Sequence, residues 1–274
     1  MFLINGEVSD CLPVTDRGLQ YGDGIFETLA VERKKPLCWN QHYQRLVRGC
    51  RRLDIAPPAE DQLLWESGRL LVKDQAAVLK MIITRGEGGR GYRPPVPAPS
   101  PTRILALYPW PDYPAQNVAD GIKVRFCETR LGRNPLLAGI KHLNRLEQIL
   151  ARNKWQDESI AEGLMLDTGD CVIAGTMSNL FIARNDSLLT PSLELCGIEG
   201  IVRQAILDMA EKLSLTCHIG TLTMDDLQAA DALFVTNSIF GVWPVRQAGE
   251  QVFSDHAIAH RIRQALINDR IILP

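Results

Sequence analysis

Of the eight lysines in the chain, one stands where its amine can serve as a reagent. Lys34 and Lys35 fall in a turn, Lys73 ends a helical stretch, and Lys154 and Lys212 lie among polar residues of helices. Lys80 and Lys123 sit in strand-like runs, whose alternation lets them face solvent. Lys141 instead follows the apolar stretch Leu136-Leu137-Ala138-Gly139-Ile140 and precedes a helical pattern. An amine in such surroundings is poorly hydrated, which favours its neutral form and opens nucleophilic or general-base chemistry. The same side chain can also snorkel its ammonium out to water, and the local pattern admits both readings.

Other residues have the types and spacing to hold an anion. In Gly197-Ile198-Glu199-Gly200-Ile201-Val202-Arg203, two glycines precede a helical run, whose first N–H groups favour a phosphate; a plain glycine-containing turn fits equally. Thr236-Asn237-Ser238 closes a buried-looking strand with three small hydrogen-bonding residues, as a polar loop opening or a second anion contact. His42-x-x-Arg45 places a guanidinium one turn beyond a histidine, able to reach a phosphate or to sit in water like Arg48, Arg51 and Arg52. The string from Arg85 to Tyr92 offers Arg85, Arg90 and Tyr92, residue types that suit carboxylates or an ordinary surface loop. It is not a Walker or dinucleotide fingerprint, because no G-K-[ST] appears and no clear helix follows. His256 and His260 have helical i,i+4 spacing, but no carboxylate or cysteine completes a ligand set, so no metal is expected.

The elements that must position these residues follow from periodicity and punctuation. A short strand, a turn at Asn5-Gly6 and a Gly-rich segment from Asp16 to Gly24 lead into an apolar strand from Ile25 to Val31. Residues 32–36 read as a hairpin turn with 37–39 returning, and Asn40 as the N-cap of a helix carrying Tyr43, Leu46, Val47, Cys50 and Leu53 on one face. A second helix over 60–73 and β-rich runs over 76–84 and 102–108 complete an N-terminal α/β domain, residues 1–110. Pro109, Pro111 and Pro114 among polar residues mark 111–120 as an interdomain linker. The C-terminal domain, 121–274, then carries Lys141, helices near 144–155, 200–213 and the C-terminus, and strands between them. Without regular βαβ alternation the fold class is mixed α/β, α+β-like, in two domains.

Length and composition bound the function. At 274 residues the chain suits two subdomains sharing a cleft better than one core. Thirty basic against thirty-two acidic residues give a net charge of -2, which removes the electrostatic case for nucleic acid or an anionic membrane surface. No apolar run approaches the roughly 18 to 20 residues that span a bilayer, and no basic n-region precedes Met1-Phe2-Leu3-Ile4, so neither a membrane span nor a secretory signal is expected. Seven cysteines without a C-x-x-C or pairing logic point to free thiols and a cytoplasmic location.

The ordered series Asp16-Arg17-Gly18-x-x-Tyr21-Gly22-Asp23-Gly24-x-Phe26-Glu27-Thr28, His42-x-x-Arg45-Leu46, Lys141, Ser178-Asn179-Leu180-Phe181 and Gly200-Ile201-Val202-Arg203 resembles the fold-type IV pyridoxal-phosphate enzymes. That group includes branched-chain and D-amino acid aminotransferases and aminodeoxychorismate lyases, and the resemblance spans nearly the whole chain. Within it, the run Leu131-Gly132-Arg133-Asn134-Pro135-Leu136-Leu137-Ala138-Gly139-Ile140-Lys141-His142-Leu143-Asn144-Arg145-Leu146-Glu147-Gln148, the string from Arg85 to Tyr92, and Val242-Trp243-Pro244-Val245 look like the 4-amino-4-deoxychorismate lyases. The resemblance implies a homodimer of two-domain chains with pyridoxal 5'-phosphate between the domains. It implies Lys141 as the lysine that carries the cofactor, and Arg45, the amides of Ile201 and Val202, Asn237 and Ser238 as the phosphate site. Arg90 and Tyr92 take positions that bind a substrate carboxylate in related aminotransferases.

The implied reaction converts 4-amino-4-deoxychorismate to 4-aminobenzoate and pyruvate for folate synthesis, with Lys141 as general base and Thr28 or a water as proton donor to the leaving pyruvate. The substrate is a dicarboxylate, which gives Arg90 and Arg133 reason to be near it. One position departs from the family pattern. A glutamate that pairs with the cofactor's pyridine nitrogen is replaced by Ala174, and neither Glu162 nor Glu194 has its register. The ring is then a weaker electron sink, which favours an aromatising lyase over transamination. The rivals are a D-amino acid or branched-chain aminotransferase on the same fold, and a weakly active or non-catalytic homologue that binds the vitamin.

Overall fold

The computed structural model describes residues 1–185 and 187–274, and its chain forms two compact units. Unit 1 comprises Met1–Pro111 with Ile140–Asn144, and unit 2 comprises Asp112–Gly139 with Arg145–Pro274. Lys141, expected in the C-terminal domain, therefore sits with the N-terminal unit.

Unit 1 is a six-stranded antiparallel sheet in the order β2-β1-β6-β5-β3-β4. Its elements are β1 (Phe2–Ile4), β2 (Glu7–Val8), α1 (Arg17–Tyr21), β3 (Gly24–Glu32), β4 (Lys35–Pro36), α2 (Trp39–Arg52), α3 (Glu60–Leu70), β5 (Ala77–Thr84) and β6 (Thr102–Pro109). Arg33 and Lys34, both at positive φ, make a two-residue hairpin loop whose twist matches the strands it joins. The return is therefore Lys35–Pro36 and not 37–39, and α2 starts at Trp39 behind Cys38 rather than behind an Asn40 cap. Pro36 has no N–H to extend the ladder, so β4 is short and the first half of β3 keeps an open edge. Leu46, Val47 and Cys50 of α2, with Leu63 and Leu70 of α3, bury against Ile25, Leu29, Val31, Leu79, Met81 and Ile83 on one sheet face. At about 1.5–3 kcal/mol for each large apolar side chain removed from water, that layer holds α2 firmly on β3.

Unit 2 holds α4 (Gln116–Ala119), β7 (Ile122–Phe126), α5 (Leu146–Arg152), β8 (Ile160–Leu166), β9 (Val172–Gly175), β10 (Asn179–Arg184), β11 (Ser187–Pro191), α6 (Ile201–Met209), β12 (Thr216–Gly220), α7 (Met224–Gln228), β13 (Ala232–Asn237), β14 (Gly241–Ala248), β15 (Gln251–Val252) and α8 (Ala257–Asn268). Among the described residues its mixed sheet runs β12-β11-β10-β13-β14-β7-β8-β9, with β15 beside β14 and parallel pairs at β11/β12, β14/β7 and β7/β8. Alternation along β13 sends Leu233 and Val235 into one core and Phe234 into another, where Val202 and Ile206 of α6 and Ile262 and Leu266 of α8 cover it. Phe181 and Phe234 stack there at 5.2 Å.

The segment expected as a linker is in large part structural. Tyr113 meets Trp243 edge-on at 4.9 Å and α4 follows at once, so the chain from Asp112 onward belongs to unit 2. No helix among the described residues is long and apolar enough to cross a membrane.

Candidate active site

Lys141 is positioned by strand addition to the open edge of β3. The amide of Phe26 donates to the Lys141 carbonyl (2.9 Å), that of Leu143 to the Gly24 carbonyl (3.0 Å), and Ile25 pairs with His142 in antiparallel fashion. The Lys141 Nζ lies 4.2 Å from the Phe26 ring centroid, an arrangement that favours a cation over the ring face. Lys80, expected on a solvent face, also lies over Phe26, at 5.6 Å. Thr28 is on the same strand face as Phe26, one pleat further along and in register with Lys80.

The other face of β3 holds a buried charged cluster. Glu27 sits in the row of Ile25 and Leu29, and α2 brings His42 and Arg45 onto it. Arg45 grips Glu27 with two bonds, Nε to Oε1 at 2.8 Å and Nη2 to Oε2 at 2.6 Å, and the His42 Nδ1 is 2.6 Å from Oε2. Burial pushes the Glu27 carboxyl up, but the Arg45 guanidinium and then His42 outweigh it and hold it at about 2. Burial pushes His42 below its ordinary range, with Glu27 opposing and Arg45 and Lys141 adding to the fall. A neutral His42 donates Nδ1–H to the carboxylate. Arg45 is thus not a solvated arginine but one locked by a carboxylate and a histidine. The spacing His42-x-x-Arg45 is visible in the sequence. The signal for Glu27 is a lone carboxylate in an apolar strand row, which needs a buried cation.

In unit 2 the segment read as an anion site lies at the start of α6. Gly200 caps α6 with no side-chain acceptor, leaving the amides of Ile201 and Val202 at the start of the helix. A Cβ at Gly200 would lie 2.0 Å from the Asn179 Oδ1, so only glycine lets Asn179 border the helix start, where its Nδ2 donates to the Ile198 carbonyl. Thr236 pairs with Asn179 across β10/β13, is 1% exposed, and its hydroxyl has no hydrogen-bond partner among the described residues. Arg203 does not face this site. Its Nε donates to the Thr190 Oγ1 and its Nη2 to the Pro191 carbonyl, fastening α6 to β11. Asn237 also differs from a free ligand. Its Oδ1 accepts from the amides of Ile239 and Phe240, and its Nδ2 donates to the Met177 carbonyl, so the side chain shapes the turn that carries Ser238.

Ala174 is buried among Met165, Ile173, Cys127 and Leu193, in an apolar cluster. Glu162 does not substitute for the absent carboxylate. Its oxygens accept from the amides of Gly163, Thr176 and Met177 and from the hydroxyls of Thr176 and Ser178. A Cβ at Gly175 would come within 2.1 Å of the Ser178 Oγ and 2.6 Å of Glu162, so this turn is built around the carboxylate. Glu194 is exposed.

The loop after β5 separates its three candidates. Arg85 is bound to Asp23 and to the Leu53 and Asp54 carbonyls, and is thereby structural. Arg90 and Tyr92 project outward, Tyr92 with 87% of its surface exposed. Arg133 pairs with Asp167 at 2.9 Å, at the 167–171 turn.

A phosphate ester needs donors that the protein leaves unmatched, and the α6 amides with the Thr236 hydroxyl are such donors. An aldehyde needs a lysine fixed by its own backbone, and Lys141 is one. The residues present therefore fit pyridoxal phosphate. Comparison with known proteins agrees. A model of the amino-transferase class IV family matches residues 24–248. An aminodeoxychorismate lyase of Vibrio harveyi is 34% identical over 245 residues, 89% of this chain and 90% of that one. The crystal structure of 4-amino-4-deoxychorismate lyase from Pseudomonas aeruginosa is 43% identical with a TM-score of 0.93, covering 98% of this chain and 99% of that one. A branched-chain amino acid aminotransferase of Escherichia coli is 26% identical with a TM-score of 0.87, covering 98% and 94%. With the matched segment reaching from the start of β3 to the end of β14 and enclosing Lys141, Arg45, Ile201 and Ser238, the chain belongs to the amino-transferase class IV family, whose enzymes work with pyridoxal phosphate.

Proposed function

We propose that this chain is a lyase that converts 4-amino-4-deoxychorismate to 4-aminobenzoate and pyruvate, a step of folate synthesis, as a homodimer in the cytoplasm. The observation that carries the proposal is Lys141, backbone-paired to the edge of β3 with its amine over Phe26, in a chain so similar to two lyases. All seven cysteines are free, as a reducing compartment would leave them. Lys141 carries the cofactor. Arg45, the Ile201 and Val202 amides, Ser238 and the Thr236 hydroxyl hold its phosphate, with Glu27 and His42 fixing Arg45 and Asn237 fixing the turn beneath Ser238. When bound, pyridoxal phosphate supplies the electron sink that acidifies the amino-bearing ring carbon.

The Lys141 amine removes the proton from that carbon, and the Phe26 ring favours the ammonium that results. The enolpyruvyl oxygen then leaves the ring, which becomes aromatic. Thr28 donates the proton that converts the departing enolpyruvate to pyruvate. Arg90 and Tyr92 receive a substrate carboxylate. Aromatisation supplies much of the driving force, so the reaction tolerates the apolar surroundings of Ala174, where a transaminase benefits from a carboxylate. The test is to supply aminodeoxychorismate and, separately, D-alanine with 2-oxoglutarate. Pyruvate and 4-aminobenzoate from the first, without keto-acid exchange in the second, are expected. In Lys141→Ala, turnover should fall at least about a thousandfold and the bound cofactor's absorbance should vanish. Keto-acid exchange without aromatic product makes the chain an aminotransferase instead.

A further inference from the structure

Four glycines, Gly86, Gly88, Gly89 and Gly91, give the loop after β5 a large entropy to lose on ordering, yet its backbone is held by two side chains far away in sequence. Arg17 is 2% exposed, and its guanidinium donates Nη1–H to the Gly91 carbonyl (2.9 Å) and Nη2–H to the Tyr92 carbonyl (3.0 Å). Its Nε donates to Asp23 (2.9 Å), which neutralises the buried charge. The Tyr21 hydroxyl accepts from the Gly91 amide at 3.0 Å, so both backbone groups of Gly91 are matched. The Tyr21 ring lies under the guanidinium at 4.8 Å and meets the Tyr92 ring edge-on at 5.6 Å. A Cβ at Gly88 would fall 2.8 Å from the Arg17 Cδ, so the loop lies directly on the arginine's stem. Asp23 in turn binds Arg85, whose Nη2 also donates to the Leu53 carbonyl just past the C-terminal end of α2 and whose Nη1 donates to that of Asp54. The result is a backbone fixed from below while Arg90 and Tyr92 point into solvent.

We propose that Arg17, with Tyr21, is a positioning residue that pre-forms the 86–92 loop so that Arg90 and Tyr92 meet a carboxylate substrate without paying to order the loop. This rests on the reading that those two side chains receive the substrate. Because the clasp is made by Nε, Nη1 and Nη2 held in one rigid plane, a lysine at position 17, a point charge without that fork, does not reproduce it. The clasp acts on binding and not on the proton transfers, so its loss raises KM and spares kcat.

The experiment uses the cofactor-loaded full chain and Arg17→Lys, Arg17→Met and Tyr21→Phe, with Arg90→Gln as a reference. Two readouts are taken: trypsin cleavage after Arg90, and KM against kcat for aminodeoxychorismate. Arg17→Met should be cut about tenfold faster and show KM raised about tenfold with kcat within about twofold, with Arg17→Lys and Tyr21→Phe between it and wild type. Tyr21→Phe removes one hydroxyl and keeps the fold, so it reads the clasp even if Arg17→Met does not accumulate. Unchanged cleavage and unchanged KM in both Arg17→Lys and Tyr21→Phe overturn the proposal. If cleavage accelerates while Arg90→Gln keeps the wild-type KM, the clasp stands as a loop restraint but its substrate role fails with the reading beneath it.

Discussion

Glu27 and His42, buried beside each other, couple the site to pH. His42 has a folded-state pKa below the ordinary value of about 6.5, so below that pH the unfolded chain takes up a proton that the folded chain refuses. Stability is therefore present above about 6.5 and declines as pH falls from there towards the folded pKa. Glu27, held at about 2 against an ordinary value near 4.3, adds a second loss only below about pH 4.3. The two windows are separate. Melting temperatures should fall between pH 7 and pH 5 in wild type, and the fall should be smaller in His42→Asn, which keeps a donor towards Glu27. An equal fall in both proteins removes His42 as its source.

Helix α6 and strand β13 present donors by being built small. Gly200 gives α6 no side-chain cap, and the buried Thr236 hydroxyl has no hydrogen-bond partner among the described residues. A buried unpartnered hydroxyl costs on the order of 1–3 kcal/mol, so a ligand oxygen is the natural reason to keep it. Thr236→Val keeps the shape and removes the donor. The apo variant should melt at or above the wild-type temperature, while its affinity for pyridoxal phosphate, measured by absorbance titration, should drop about tenfold. Undiminished affinity would leave the hydroxyl without a role. The Glu162 turn works in the opposite sense, since the amides of Thr176 and Met177 and the hydroxyls of Thr176 and Ser178 are all drawn onto one carboxylate. It stiffens the strand connection that delivers Asn179 to the same helix start.

For the whole molecule, the division into units gives Lys141 and Arg45 to one and Ile201 and Ser238 to the other. With a net charge of -2, self-repulsion does not oppose association of two copies. Sedimentation equilibrium of the cofactor-loaded protein should give twice the 30.5 kDa of one chain. A persistent single-chain mass at micromolar concentration excludes the homodimer.

Much of this was legible without coordinates. The singular setting of Lys141, the glycines before α6, the strand-final Thr236-Asn237-Ser238 and the order of the motifs determine the family, and alternation in 25–31 and 76–84 determines the strands that carry them. These are local properties, set by residue type and by periods of two or three to four residues. Tertiary structure alone decided that Lys141 joins the edge of β3, that Glu27 is the partner of Arg45, that Glu162 and Arg133 serve turns, and that Arg17 holds Gly91. Each of those depends on register and side-chain direction between segments distant in the chain, as in the pairing of Ile25 with His142, 117 residues apart. Chain entropy and packing settle such pairings together, and no single window of sequence contains both partners.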